Sequence, residues 1–252
     1  MGPGEDARGR VTTTTGYDAS VRVIPDPVAS VVIGIATAVV IVTAVVLPFL
    51  TPQWVAFEQG RANATAWTGY TTDELRAATD AILSDLVFGP PDFDVAVNGE
   101  PVLVERERGH MRDVRTVFSA LWLLAAASIV ILLVASRWRD RAAAWRAVRR
   151  AGLGLAGLVA ALGIVALAAF DALFDLFHRI LFPGGSYTFD PATERLVQLF
   201  PYAFWQETAI VVGVAIIVVS VTVALMAGRR VGARVDHVPT TGLTPAPGSG
   251  RS

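Results

Sequence analysis

Two of the chain's three histidines stand among carboxylates at the edge of an apolar run. His110 lies in Glu105-Arg106-Glu107-Arg108-Gly109-His110-Met111-Arg112-Asp113-Val114-Arg115, directly before such a run, and His178 closes Phe170-Asp171-Ala172-Leu173-Phe174-Asp175-Leu176-Phe177-His178-Arg179, directly after another. An imidazole with a reference pKa near ~6.5 can take up and return a proton at neutral pH, and a nearby carboxylate stabilises its charged form. Asp171, Asp175 and His178 are spaced i, i+4, i+7 and share one helical face. Glu107, His110 and Val114 lie close to one face of a helix, and Asp113 is one turn from His110. The inventory therefore suits general acid–base chemistry, with Glu107, Asp113, Asp171 and Asp175 as orienting groups. Two histidines with carboxylates also resemble zinc ligands, but no HExxH is present and the histidines fall on different helices, which puts a metal second. The competing reading is plainer. The charges then mark solvated helix ends, the arginines bind lipid phosphates, and Asp171 and Asp175 form ion pairs with Arg112, Arg115 or Arg179.

Composition narrows the field. Of 252 residues 53% are hydrophobic, and the mean hydropathy of +0.52 is that of a membrane protein. A net charge of -1 offers nothing to nucleic acid. The chain has no cysteine, which excludes disulfides and thiolate chemistry, and every basic residue is arginine, which excludes lysine Schiff bases and Ser-Lys dyads. Gly184-Gly185-Ser186 does not form a nucleophile elbow, and no phosphate-binding loop is present.

The elements that must position the histidines follow from hydropathy. Residues 1–27 read as a disordered tail. Val28–Leu50 is a charge-free run of roughly 34 Å as a helix, enough to cross a hydrocarbon core of about 30 Å, and Pro48 ends or kinks it. Further spans are predicted over about 117–135, 151–170 and 204–227. In the third, Gly152, Gly154, Gly157 and Gly163 are expected to allow close helix approach. Between the first two spans, Thr71-Thr72-Asp73-Glu74 reads as a capping box, with Leu75, Ala78, Ile82 and Leu86 at helical spacing and Gly89-Pro90-Pro91 as the stop. Asn98-Gly99 between alternating apolar residues signals a hairpin, and Pro101 an edge strand. Loop 51–116 thus carries a small α+β cap of one helix and one hairpin. Asp190-Pro191 reads as a helix start, in a second loop over 171–203. Residues 228–252 read as a second tail, with an inert His237.

Arg137, Arg139, Arg141, Arg146, Arg149 and Arg150 crowd the short connection between the second and third spans. The positive-inside rule makes that connection cytoplasmic. Four spans then place both termini inside, in agreement with Arg8, Arg10, Arg22, Arg229, Arg230 and Arg234. Both histidine segments come out on the extracytoplasmic side. The expected fold is an all-α, multi-pass cell-membrane protein with four transmembrane helices.

These motifs resemble a family. Glu107-x-x-His110-Met111-x-Asp113-Val114 before one span, then Phe174-x-x-Phe177-His178-x-x-x-Phe182-Pro183 and Phe189-Asp190-Pro191 before another, are similar to the bacterial four-span integral membrane family that includes the lipoprotein intramolecular transacylase. The likeness runs from about Val28 to Ala227. Where that family commonly has an acidic residue and a tryptophan after the second histidine, this chain has Gly185 and Tyr187. The resemblance implies transfer of the sn-2 acyl chain from the diacylglycerol on a lipoprotein's N-terminal cysteine to that cysteine's own amine. His110 and His178 would be the catalytic pair. Arg112, Arg179 or Tyr187 would meet substrate or developing charge, the partners would be membrane lipids and diacylated lipoproteins, and no cofactor is needed. The alternative is a non-enzymatic membrane protein that binds lipid or a protein partner through its cap.

Overall fold

The structure, a computed structural model, describes residues 26–138 and 140–232, without the side chains of Asp26, Trp138 and Gly232. Most of both expected tails, His237, Arg8, Arg10, Arg22, Arg139 and Arg234 lie outside the described residues. Four helices are long and apolar enough to cross a membrane: α1 (Asp26–Val46, continued by a 3-10 turn over Leu47–Leu50), α5 (Glu105–Trp138), α6 (Arg141–Leu181) and α8 (Tyr202–Gly232). Pro48 sits where α1 gives way to that tighter turn, as a residue without an amide hydrogen requires.

The helices outrun the apolar spans. α5 is continuous from Glu105, so His110 and the second span share one rigid rod. The arginine-rich connection is not a loop: Arg146, Arg149 and Arg150 stand on α6. Its start in Ala142-Ala143-Ala144 favours helix, and Asp140 caps it by accepting from the amides of Ala142 and Ala143. The only residues between α5 and α6 are 139 and 140. α6 continues through the expected loop boundary at Phe170 to Leu181, with a kink at Ala169 (φ -150°, ψ 51°). That break separates the membrane-crossing part from the turns that carry Asp171, Asp175 and His178. At the other end of the chain, α8 occupies the first residues of what was expected to be a tail.

Within the bundle α6 lies along α8, and α1 touches α5, α6 and α8. The close approach of α6 and α8 rests on Gly152, where a Cβ would fall 2.6 Å from the carbonyl oxygen of Ser220. Gly154, Gly157 and Gly163 face no neighbour within 4 Å and do not share that role, because the α6–α8 seam does not run through their face. Many large apolar side chains on the spans are exposed, including Leu123, Ile164 and Leu167. In water that surface would be a liability, whereas a hydrocarbon phase solvates it.

The cap holds more helix than one. α2 (Pro52–Arg61) and α3 (Ala64–Thr68) precede α4 (Thr72–Val87). α2 is weakly patterned, and α3 starts after Asn63, which adopts φ 55°. The α4 capping box forms as expected: Thr71 Oγ1 accepts from the Glu74 amide, and Glu74 accepts from the Thr71 amide at 2.8 Å. The hairpin pairs β1 (Ala96–Val97) with β2 (Glu100–Pro101), with Asn98 and Gly99 both at positive φ. Asp190-Pro191 forms a turn instead of a helix start. Helix α7 begins only at Arg195 and ends at Leu199, because the Asp190 carboxylate caps that turn by accepting from Ala192.

This region has a well-buried core. Ile82 and Leu86 of α4, Phe93, Val102 and Leu199 pack with Met111 of α5 and Phe204 of α8 in one cluster. Gln59 pins three elements inside it, donating to Thr79 Oγ1 at 3.0 Å and to the Leu199 carbonyl at 2.9 Å. The cap is therefore built around the N-terminal turns of α5, one residue away from His110.

Candidate active site

His110 is carried on the first turns of α5 and is 7% exposed. Those turns are fixed by Glu107, whose side chain is fully buried. One Glu107 oxygen accepts from the Val104 amide at 2.8 Å, closing the helix start, and the other accepts from the Leu196 amide at 2.6 Å, holding α7. Glu107 thus orients backbone on either side of the site and is not bonded to an imidazole. A hydrogen bond from a backbone amide to a charged carboxylate is worth about 1.5–3 kcal/mol, and the buried Leu196 contact belongs to that class.

His178 reaches the same place from the kinked end of α6. The two imidazole rings are stacked, with centroids 6.2 Å apart and planes inclined by 29°. Aromatic rings enclose the pair. Phe182 lies 4.8 Å from His110 and 5.7 Å from His178, and Phe189 lies 5.4 Å from His110. Phe174 and Tyr187 flank His178 at 4.2 and 5.1 Å. Apolar walls of this kind exclude water and strengthen the polar contacts that remain.

Each imidazole is oriented through Nδ1, by different means. The Nδ1 of His178 lies 2.7 Å from the Phe174 carbonyl, which can only accept, so this nitrogen carries the proton in the neutral ring. The Nδ1 of His110 lies 3.5 Å from Ser186 Oγ, and that hydroxyl donates to Asp113 Oδ2 at 2.8 Å. With its hydrogen committed to Asp113, the Ser186 oxygen faces His110 as an acceptor. This again assigns the proton to Nδ1 and leaves Nε2 as the basic lone pair.

Ser186 is the residue beside the histidines that reading the sequence misses. Its partners are 73 and 76 residues away, so no local pattern reveals it. The available signal was the turn before it. The Gly185 amide donates to the Phe182 carbonyl at 3.0 Å across Pro183-Gly184, and Gly185 takes φ 74°, which glycine adopts without strain. That turn delivers Ser186 to Asp113.

The remaining charged candidates form the rim. Asp175 accepts from Arg179, one turn on, and from the Tyr187 hydroxyl at 3.3 Å. Neither contact involves the His178 ring. Arg179 holds the Asp175 carboxyl low, and the His178 charge adds only a small electrostatic contribution after it. Burial pushes the Tyr187 hydroxyl above its ordinary pKa, and the adjacent Asp175 charge adds to this, so Tyr187 remains a donor through neutral pH. Arg112 is held by Glu105 at 2.6 Å. Asp171 is exposed beside the Tyr202 hydroxyl and does not reach His178. Arg115 is not paired with either aspartate but donates to the backbone carbonyls of Asp85 and Gly89. Of the residues expected in the site, the structure gathers His110, His178, Asp113 and Tyr187 at its centre, and leaves Asp171, Asp175, Arg112 and Arg179 around it. Among the described residues, no three His, Asp or Glu side chains converge as a metal site.

A bundle of four spanning helices with two facing imidazoles at one end defines a multi-pass membrane protein with acid–base groups at the bundle end. The comparisons carry this further: the family described as lipoprotein intramolecular transacylase Lit matches residues 30–205, and the chain belongs to that family. A relative from Aquifex aeolicus, an uncharacterized protein, is 24% identical over 169 residues, covering 64% of this chain and 76% of its own. The fold is that of the membrane integral lipoprotein intramolecular transacylase Lit from Bacillus cereus. It matches with a TM-score of 0.65 and 19% identity over 84% of this chain and 96% of that one. Variants of the same Bacillus protein, with one histidine changed to arginine or to alanine, match equally at a TM-score of 0.65 and 19% identity. They share 84% of this chain and 94% and 96% of their own.

Proposed function

We propose that this chain moves the sn-2 acyl chain of a lipoprotein's S-diacylglyceryl cysteine onto the α-amine of the same cysteine. The observation that carries this reading is the meeting of His110 and His178 in one aromatic enclosure, each with Nδ1 committed to an orienting partner. Family membership supplies the substrate class. Arginine asymmetry supports the orientation in which both termini are cytoplasmic and the pair faces the extracytoplasmic surface, where lipidated cysteines lie.

The substrate brings both nucleophile and ester, so the protein need supply only position, a base and charge stabilisation. Holding amine and ester together can be worth about 7–11 kcal/mol. The neutral amine nitrogen attacks the ester carbonyl carbon, and His110 Nε2 takes the proton released as the tetrahedral adduct forms. Asp113, acting through Ser186, stabilises the resulting imidazolium. His178 acts in its doubly protonated form: with Nδ1–H on the Phe174 carbonyl, its Nε2–H donates to the oxyanion and then to the leaving glycerol oxygen. When the carbon–oxygen bond breaks, that oxygen receives the proton from His110, and an amide and a free glycerol hydroxyl remain. Arg112 and Arg179, already neutralised by carboxylates, face lipid headgroups at the rim.

Substrate and product are isomers, so the test reads fragment ions and not total mass. A host that makes diacylated lipoproteins and expresses this chain is expected to yield N-acyl, S-monoacylglyceryl peptides. Unchanged fragments at matched expression would contradict the proposal. A second reading, a non-enzymatic protein that binds lipid or a partner through the cap, draws on Phe57, Trp67 and Phe88, which are exposed on that region. Under it, His110→Ala and His178→Ala leave every phenotype unchanged.

A further inference from the structure

The end of the bundle remote from the histidines carries a cavity of about 820 Å³ lined from all four spans, α1, α5, α6 and α8. Its walls are apolar, with Ile33, Leu132 and Val148 among them, and its mouth holds Arg137, Arg141 and Arg230. The three guanidiniums come from three helices: the end of α5, the start of α6 and the end of α8. Among the described residues none of them has a carboxylate within ion-pair distance, whereas Arg146 has Asp140 at 3.8 Å. A neighbouring groove adds Arg149, Arg150 and Arg229 to the positive field at this end.

Arginines that no described carboxylate pairs with, lining one cavity from separate helices, call for an anion, and the planar fork of a guanidinium suits phosphate oxygens. The apolar walls call for hydrocarbon. The volume falls within the range of about 300–1,000 Å³ usual for small-molecule sites. A free phosphate would satisfy the mouth and leave the walls unused. We propose that this cavity binds one anionic glycerophospholipid of the surrounding leaflet, with its phosphodiester on Arg137, Arg141 and Arg230 and an acyl chain along the groove beneath them. The site is independent of the histidine pair and of the reaction assigned to it. A lipid held there bridges all four spans at the end opposite the site.

The test is native mass spectrometry of the full chain in detergent, titrated with phosphatidylglycerol, phosphatidylcholine or inorganic phosphate. One phosphatidylglycerol is expected to be retained, at least about tenfold tighter than phosphatidylcholine. The triple variant Arg137→Gln, Arg141→Gln, Arg230→Gln should lose about tenfold or more in that affinity. His110→Ala and His178→Ala should keep it, which separates this lipid from any held at the histidines. Equal retention of the two lipids by the unaltered protein would overturn the proposal without recourse to a variant. So would unchanged affinity in the triple variant, or displacement of the lipid by inorganic phosphate at equal concentration.

Discussion

The two histidines sit 6.2 Å apart but belong to different kinds of structure. His110 stands on an unbroken helix whose first turns are set into the cap core, and it is almost wholly buried. Behind it, a serine passes the influence of a carboxylate to Nδ1. His178 stands on the short helical segment beyond the kink at Ala169, is only partly buried, and has a backbone carbonyl behind it. A carboxylate stabilises an imidazolium by charge as well as by orientation, whereas a carbonyl dipole mainly orients. The difference teaches a division of labour. His110 is neutral at rest, because burial and then the neighbouring His178 push its pKa down to about 4, with Asp113 opposing. It is therefore equipped to accept a proton and to give it up again. His178, when protonated on both nitrogens, is equipped to present Nε2–H in a fixed direction to developing charge.

The largest expected effect comes from removing the proposed proton acceptor. His110→Ala should lower the rate of acyl transfer by roughly a hundred- to ten-thousand-fold, measured by fragment-ion mass spectrometry of a lipopeptide substrate. His178→Ala should cost about a hundred- to a thousand-fold, the range for a lost charge-stabilising donor. If His178→Ala were far more damaging than His110→Ala, the division would have to be reversed. Asp113→Asn and Ser186→Ala sharpen the comparison at a smaller scale. Each should reduce the rate about tenfold, the worth of one hydrogen bond to a charged group. Because they act through one chain of contacts, the double variant should lose little more than either alone. Full additivity would mean that the serine does not connect the aspartate to His110. The smallest effect is expected from Tyr187→Phe, about two- to threefold. Its hydroxyl bonds Asp175 and only its ring touches His178. Because burial raises the Tyr187 pKa, the unaltered protein should show no loss of activity from its ionisation below pH ~10.

Much of this arrangement is legible in the chain itself. The four spans follow from uninterrupted apolar runs, which only helices or closed barrels can carry through lipid. The capping box at Thr71 and the Asn98-Gly99 turn are local chemistry, and both form as the sequence predicts. The placement of His110 before one span and His178 after the next already brings them to one end of the bundle, because two spans joined by a short connection run antiparallel. What was not legible depends on distant contacts. α2 has a weak apolar pattern and gains its burial from α4 and α8, so it reads as loop. Asp171 and Asp175 share a face with His178 by spacing, but helical spacing does not reveal that Arg179 and Tyr187 claim Asp175 first. Glu107 looks like an orienting base partner from its position three residues before His110. Its actual partners are two backbone amides, one of them 89 residues away.

The central claim is that this pair of imidazoles moves an acyl group from the glycerol sn-2 oxygen to the α-amine of one lipidated cysteine. Its most direct test is a purified-protein assay on a synthetic S-diacylglyceryl lipopeptide deuterated only in the sn-2 chain. The account predicts that the deuterated acyl group appears on the α-amine of the same molecule and that His110→Ala slows the transfer at least about a hundredfold. It also predicts that adding unlabelled lipopeptide does not dilute the label. Label that stays on glycerol in the presence of folded protein, or transfer undiminished in the His110 variant, would contradict it.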